Sequence, residues 1–236
     1  MQDHATQARP SRKSKGAAQR FPAPRGQAPD IHRALRERIC LLRYPPGTLL
    51  VETTLANEFQ VSRTPIRQAL QRLVYEGLAE TRNGVGTSVT GVDFPEFKEI
   101  YAFRLRLSEM IGDFSSLDGV PEALERIEGL IPRVEALKGS QNFEEFWAVN
   151  HELQFATNSL IANASLKEVH DRLYFQASRV WYSFVDKMWE EEVDFLLEEL
   201  LEHRRALRAG DLRAVGFIQR NHIAFGLSRV ARYVSG

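Results

Sequence analysis

The segment from Ser62 to Gly77, SRTPIRQALQRLVYEG, limits what this chain can fold into more than any other stretch. Ser62 suits an N-cap, and Pro65 falls in the first helical turn, where its missing N–H costs nothing. Ile66, Leu70, Leu73 and Val74 recur at helical spacing and form one apolar face. Arg63, Arg67 and Gln71 lie one turn apart on the opposite face, beside Thr64 and Gln68, and Gly77 ends the helix. Upstream, Thr53 to Phe59 fits a second helix burying Leu55, Ala56 and Phe59, with Gln60-Val61 as a brief turn. Before that, Asp30 caps a helix with an apolar face of Ile31, Leu35, Ile39 and Leu42, stopped by Tyr44-Pro45-Pro46-Gly47. Leu49-Leu50-Val51 fits a short strand. Downstream, Leu78–Thr81, Asn83-Gly84 and Val85–Thr90 predict a hairpin with a tight Asn-Gly turn. Residues 30–91 therefore read as a winged helix-turn-helix.

Charge agrees with that reading. The formal net charge of the 236 residues is zero, yet residues 1–90 hold 14 Lys+Arg against 7 Asp+Glu, and residues 91–236 hold 17 against 24. A basic front on an acidic back points the front at a polyanion. Helix N-termini bind phosphates, and arginine pairs with guanine O6 and N7 through two donors at once. Ser62, Arg63, Thr64, Arg67 and Gln68 are the candidate DNA-facing residues; the plainer alternative is that two arginines merely solvate a helix face. Residues 1–29, rich in Arg, Lys, Pro, Gly, Ala and Gln, cannot bury a core and are expected to be a disordered basic tail, either solubilising or adding weak DNA affinity.

Residues 94–236 read as nearly all helix, in stretches marked by Phe97–Met110, Pro121–Val134, Phe143–Ile161, Leu166–Trp189, Val193–Ala209 and Leu212–Val234. The fold class is thus mainly α: a winged helix-turn-helix followed by an all-α helical bundle. Trp147, Phe155, Phe175, Trp181, Tyr182, Phe184 and Trp189 fit core, dimer interface or a ligand lining. The run Glu190-Glu191-Glu192-Asp194 fits a solvated helix start. No apolar run spans a membrane, the first residues lack a signal core, and Cys40 alone forms no disulfide, so the expected compartment is the cytoplasm.

The stretch from Leu35 to Val89 resembles the DNA-binding domain of GntR-type bacterial transcriptional regulators. The resemblance is carried by Pro46-Gly47, Leu55-Ala56, Val61 through Arg67, Leu70, Leu73, Glu76-Gly77-Leu78 and Gly86-Thr87. It implies a homodimer on a short pseudo-palindromic double-stranded operator, with Arg63, Thr64 and Arg67 on bases and phosphates and Asn83 and Gly84 of the wing in the minor groove. Thr53 stands where many relatives carry a basic residue, so one contact is in doubt.

Behind it, the bundle resembles the FCD effector domain of the FadR subfamily through Arg104-Leu105-Arg106-Leu107, Asn163-Ala164-Ser165-Leu166, Arg208-Ala209-Gly210-Asp211 and His222. That implies a small-molecule effector, often a carboxylate. Many such domains hold a divalent metal on an Asp-x3-His pair and two further histidines. Here Asn150 and Gln154 stand at the first two positions and Leu200 at the third, with His203 one turn on, and His222 at the fourth. Amides are poor metal ligands, so no cofactor is expected, His203 and His222 being weak metal candidates. Arg104, Arg106, Asn150, Gln154 and His222 are the expected effector partners. Two other functions stay open at this point: an architectural DNA-binding protein whose bundle only dimerises, and a helical enzyme, although no phosphate loop, nucleophile elbow or acid/base pair is evident.

Overall fold

The structure is a computed structural model that describes residues 31–91 and 93–234. The tail of residues 1–29 and the Asp30 cap lie outside the described residues. The N-terminal head begins with α1 (Ile31–Cys40), α2 (Glu52–Phe59) and α3 (Arg63–Tyr75). Leu35 and Ile39 of α1, Leu55 and Phe59 of α2, and Ile66, Leu70 and Leu73 of α3 meet in one apolar core. The α2–α3 turn is closed by Gln60 in the left-handed conformation, φ 57°, and by Val61 N–H donating to Ala56 O at 3.1 Å. Ser62 occupies the N-cap with extended backbone, but its hydroxyl makes no capping bond. Gly77, at φ 75°, takes the chain out of α3.

The wing is a two-stranded antiparallel hairpin, β1 (Ala79–Arg82) and β2 (Gly86–Val89), with Arg82 opposite Gly86. Its loop is therefore Asn83-Gly84-Val85, three residues where the sequence suggests two. Val85 N–H closes the turn on Arg82 O at 3.1 Å. Gly84 alone of the turn's two central residues has positive φ, so this is a type II turn and not the mirror-image turn that Asn-Gly favours. The short strand expected at Leu49–Val51 is reduced to one bridge, Leu49 to Ser88.

The bundle comprises α4 (Phe94–Glu109), α5 (Val120–Glu135), α6 (Phe143–Ser159), α7 (Ala164–Tyr182), α8 (Trp189–Arg208) and α9 (Leu212–Val234). α4 lies along α9 and α7, and α5 packs on α6 and α8. The stretch expected as a single helix from Leu166 to Trp189 is broken. α7 ends at Tyr182, where Ser183 and Phe184 bond back three residues, and a 3-10 turn at Val185–Met188 precedes α8. No glycine or proline marks the break; it delivers Val185, Met188 and Trp189 into the core. No described helix is long and apolar enough to cross a membrane.

Head and bundle share a core. Trp147, Tyr174 and Phe175 of the bundle are buried among the head's apolar residues. Gln176 of α7 donates to Glu76 O at 2.7 Å, and Arg179 donates to Thr90 O at 2.7 Å, gripping the last turn of the head and the end of the wing. Arg36 of α1 lies 3.6 Å from the centre of the Phe175 ring. Cys40 is fully buried against Phe175 O, and burial pushes its thiol up to about 12.

Candidate nucleic-acid interface and effector cavity

Ser62, Arg63, Thr64, Arg67 and Gln68 are all exposed along the start of α3, and Asn83 and Gly84 are exposed at the wing tip. Ile66, Ala69, Leu70 and Leu73 take the buried side. Opposite faces of one helix thus hold core and polar display, as the spacing requires. Arg63 and Arg67 are both bonded to the Glu52 carboxylate at the start of α2. Their guanidinium groups hold that carboxyl down at about 2. Sequence reading missed Glu52 because it lies across the helix-turn-helix bend from its partners.

In the bundle, Arg104, Asn150, Gln154 and His222 line one cavity of about 90 Å³. Arg106 does not reach it. Two residues on along α4 is more than half a turn away, so its side chain is 76% exposed and pairs with Glu109 at 3.0 Å. The arginine expected beside Arg104 is thus a surface residue.

Arg104 is buried at 6% exposure, and among the described residues no carboxylate comes within 4.0 Å of it. Its guanidinium lies 5.3 Å from the Tyr101 ring and 5.7 Å from the Tyr174 ring, with Nε unpartnered. The Tyr174 hydroxyl beside it is unpartnered too, and burial raises its pKa, keeping the proton on as a donor. A directed chain of bonds runs behind. Gln219 Nε2 donates to Gln154 Oε1 at 2.9 Å, and Gln154 Nε2 donates to His170 Nδ1 at 3.0 Å. Burial, with Arg104 adding to it, lowers His170 to about 3, so the ring is neutral; accepting at Nδ1 places its hydrogen on Nε2, which has no partner.

The acidic run at the start of α8 is not all solvated. Glu192 is 3% exposed and accepts from both Nε and Nη2 of Arg229, while Glu191 pairs with Arg232 and Asp194 with Lys138. Burial raises the Glu192 pKa against the pull of Arg229. Tyr101, Tyr174, Glu192, Glu199, Gln219 and Arg229 also line the cavity, and sequence reading did not place them there. Gln219 and Arg229 lie three residues before and seven after His222, on one stripe of α9, which was the available signal.

The donor set does not suit a metal. Asn150 and Gln154 offer neutral amides, and Gln154 is already engaged on both sides. His222 is bonded to Glu202 at 2.9 Å. Leu200 is fully buried in the apolar core. His203, also fully buried, donates from Nδ1 to Glu199 O at 2.8 Å. Among the described residues, no three His, Cys, Asp or Glu side chains converge for a metal.

Comparison with known proteins places the head. Residues 27–89 match the model of the bacterial regulatory proteins of the gntR family. The chain is 29% identical over 151 residues to an uncharacterised HTH-type transcriptional regulator, YdhC, of Bacillus subtilis; the match covers 61% of this chain and 67% of that one. It is 39% identical over 77 residues to the gluconate operon transcriptional repressor of Bacillus subtilis, covering 33% of this chain and 31% of the repressor. Among solved structures, E. coli McbR/YncC superposes with a TM-score of 0.73 at 18% identity, covering 86% of this chain and 96% of that chain. A transcriptional regulator from Rhodococcus sp. RHA1 superposes at 0.62 and 19% identity, covering 85% and 95%. These two likenesses extend the shared fold through the bundle. Residues 27–89 are thus similar to the gntR family of bacterial regulatory proteins, and the relatives matched are named as transcriptional regulators.

Proposed function

We propose that the protein is an effector-responsive regulator of the FadR type, a cytoplasmic homodimer that binds a pseudo-palindromic operator through α3 and the wing. In this reading the FCD-like bundle takes a small anionic molecule, most simply a carboxylate, against Arg104. The observation that carries it is the buried guanidinium without a counter-ion. A buried arginine is rarely left unpaired, because desolvation is offset only by an opposite charge and hydrogen bonds. Arg104 Nε and Tyr174 Oη–H are buried donors without acceptors on residues that line the cavity, and an anion is the ligand that satisfies both at once. At ~30 Å³ of liquid volume per water, a cavity of about 90 Å³ holds roughly three waters, which favours a small acid over a long acyl chain. Exposed Phe103 on α4, Met110 just past its end and Phe217 on α9 support pairing of two bundles.

The route from cavity to DNA is short. α7 presents Tyr174 and Ser178 to the cavity, and Gln176 and Arg179 to the head. α4, which carries Arg104, begins just beyond the wing at an Asp93 cap, whose side chain accepts from Glu96 N–H at 2.8 Å. An effector alters operator affinity by binding the two head arrangements unequally, with a typical coupling of ~1–3 kcal/mol.

A panel of small mono- and dicarboxylates, screened by thermal shift and followed by calorimetry on the full chain and on Arg104→Met, tests this. At 100 times its Kd, a ligand should add ~2.7 kcal/mol of stability, and Arg104→Met should lose it. Carboxylates that bind both proteins equally would remove Arg104 from the site. The amide-rich donor set also predicts well below one zinc or nickel per chain by elemental analysis of protein purified without chelator. A stoichiometric metal lost on His222→Ala would overturn that part.

A further inference from the structure

Arg63 and Arg67 converge on a single carboxylate. Glu52 Oε2 accepts from Arg63 Nε at 3.1 Å, from Arg63 Nη2 at 2.7 Å and from Arg67 Nη2 at 3.0 Å, while Oε1 accepts from Arg67 Nε at 3.0 Å. A guanidinium is a rigid plane of five N–H donors with two usable edges, one pairing Nε with Nη2 and the other pairing the two Nη nitrogens. Glu52 takes the Nε/Nη2 edge of both arginines. The Nη1 nitrogens have no partner among the described residues, and the two side chains remain 58% and 57% exposed. Both arginines therefore keep free the edge that matches guanine O6 and N7.

We propose that Glu52 is a positioning residue for sequence readout. It locks Arg63 and Arg67 with their Nη edges outward, and it cancels one positive charge on the reading face, so that the protein discriminates its operator from random DNA. This rests on the reading that Arg63 and Arg67 face DNA. Two physical effects act together. Random DNA is held by the number of phosphates neutralised, so a cation cancelled on the reading face weakens sequence-independent binding. A base edge is read only by a correctly oriented fork, and a long arginine fixed before binding loses less rotamer freedom on contact. Glu52 remains ionised over the whole neutral range, its carboxyl being held at about 2, so the clamp is a permanent part of the surface.

The test uses the full chain. Wild-type protein selects duplexes from a randomised library. The recovered consensus and a scrambled duplex are then titrated by fluorescence anisotropy across a salt series with wild type, Glu52→Gln, Glu52→Asp and Arg67→Ala. Glu52→Gln keeps the side chain's shape, and a matching melting curve confirms its fold. It should bind the scrambled duplex more tightly, with a salt slope steeper by about 0.9, the increment for one further phosphate contact. The ratio of consensus to scrambled affinity should fall roughly tenfold, within the range of one two-donor base contact. Glu52→Asp keeps the charge but shortens the reach, so it should restore the salt slope without restoring the ratio. An unchanged ratio in Glu52→Gln overturns the proposal. Tightening of both duplexes by the same factor also overturns it, because Glu52 would then be a simple brake on DNA binding. If Arg67→Ala binds the consensus as wild type does, the DNA-facing reading beneath the proposal fails instead.

Discussion

His151 lies on α6 where the bundle meets the head. Its ring stacks on Trp147 at 5.4 Å, meets Phe155 edge-on at 4.4 Å and lies 5.0 Å from Phe175. Arg33, Arg36 and Glu37 of α1 and Glu152 of α6 line the same recess. Burial, and then Arg36 and Arg33, lower its pKa to about 3. In the unfolded chain a histidine titrates near ~6.5. Between those values the unfolded state holds a proton that the folded state refuses. Stability is therefore full above the unfolded value and is lost as pH falls towards the folded one. At pH 5 the loss is about 1.5 pH units at ~1.4 kcal/mol each, or about 2 kcal/mol. That is a visible part of the ~5–15 kcal/mol typical of a folded domain. His170, also lowered to about 3, adds in the same direction. Glu192 and Asp171, raised by burial, act the other way, since their folded forms take up protons above the usual carboxylate range. His151→Phe keeps a ring in the aromatic recess and deletes only its own titration. Urea unfolding of wild type and His151→Phe at pH 7 and pH 5 should give a stability difference that shifts by about 2 kcal/mol between the two pH values. A difference that stays constant with pH would refute the assigned burial and charge environment.

Two further substitutions probe packing. At Gly77 a Cβ would lie 2.4 Å from Gln176 Nε2, at a φ of 75°. Gly77→Ala is therefore expected to cost roughly 1–3 kcal/mol through left-handed strain and loss of the Gln176–Glu76 bond, read as a lower melting temperature; a melting temperature at or above wild type would contradict the close approach. Glu192→Ala should cost roughly 3–5 kcal/mol by stranding Arg229, whereas Glu192→Leu with Arg229→Met should lie near wild type. Denaturant unfolding showing the single variant as stable as the double one would contradict the burial of this pair.

The head was legible because its signals are local. Pro65, Gly77, the Asn-Gly pair and the 66/70/73 stripe each act within a few residues, and each marks an element that is present in the fold. The wing's loop length was not legible, because Asn83 can enter either turn type and the register of two short strands decides. The break after Tyr182 carried no breaker residue; burial of Val185, Met188 and Trp189 imposes it. In the bundle, helix identity came from the apolar period, but which polar residues face inward depends on neighbours far along the chain. Arg104 and Arg106 look equivalent in sequence, and the packing of α7 and α9 against α4 separates them. Glu192 reads as one more solvated acid until α9 brings Arg229 to it, 37 residues later. Glu52, 11 and 15 residues from the arginines it holds, has no periodic relation to them at all.

Successive residues on α7 are about 100° apart around the helix axis. Tyr174 and Ser178, which face the cavity, and Phe175 and Arg179, which face the head, are thus two parallel rows on one rigid shaft. A twist of the shaft by about 20° carries the outer ends of its side chains, at a radius of ~5–6 Å, through roughly 2 Å. That is enough to break a hydrogen bond such as the 2.7 Å contact from Arg179 to Thr90 O. Rotation demands no melting, no loop closure and no stretch of the residues between wing and bundle. The distance in sequence between the cavity and α3 thereby ceases to matter, because torque about a single axis links them.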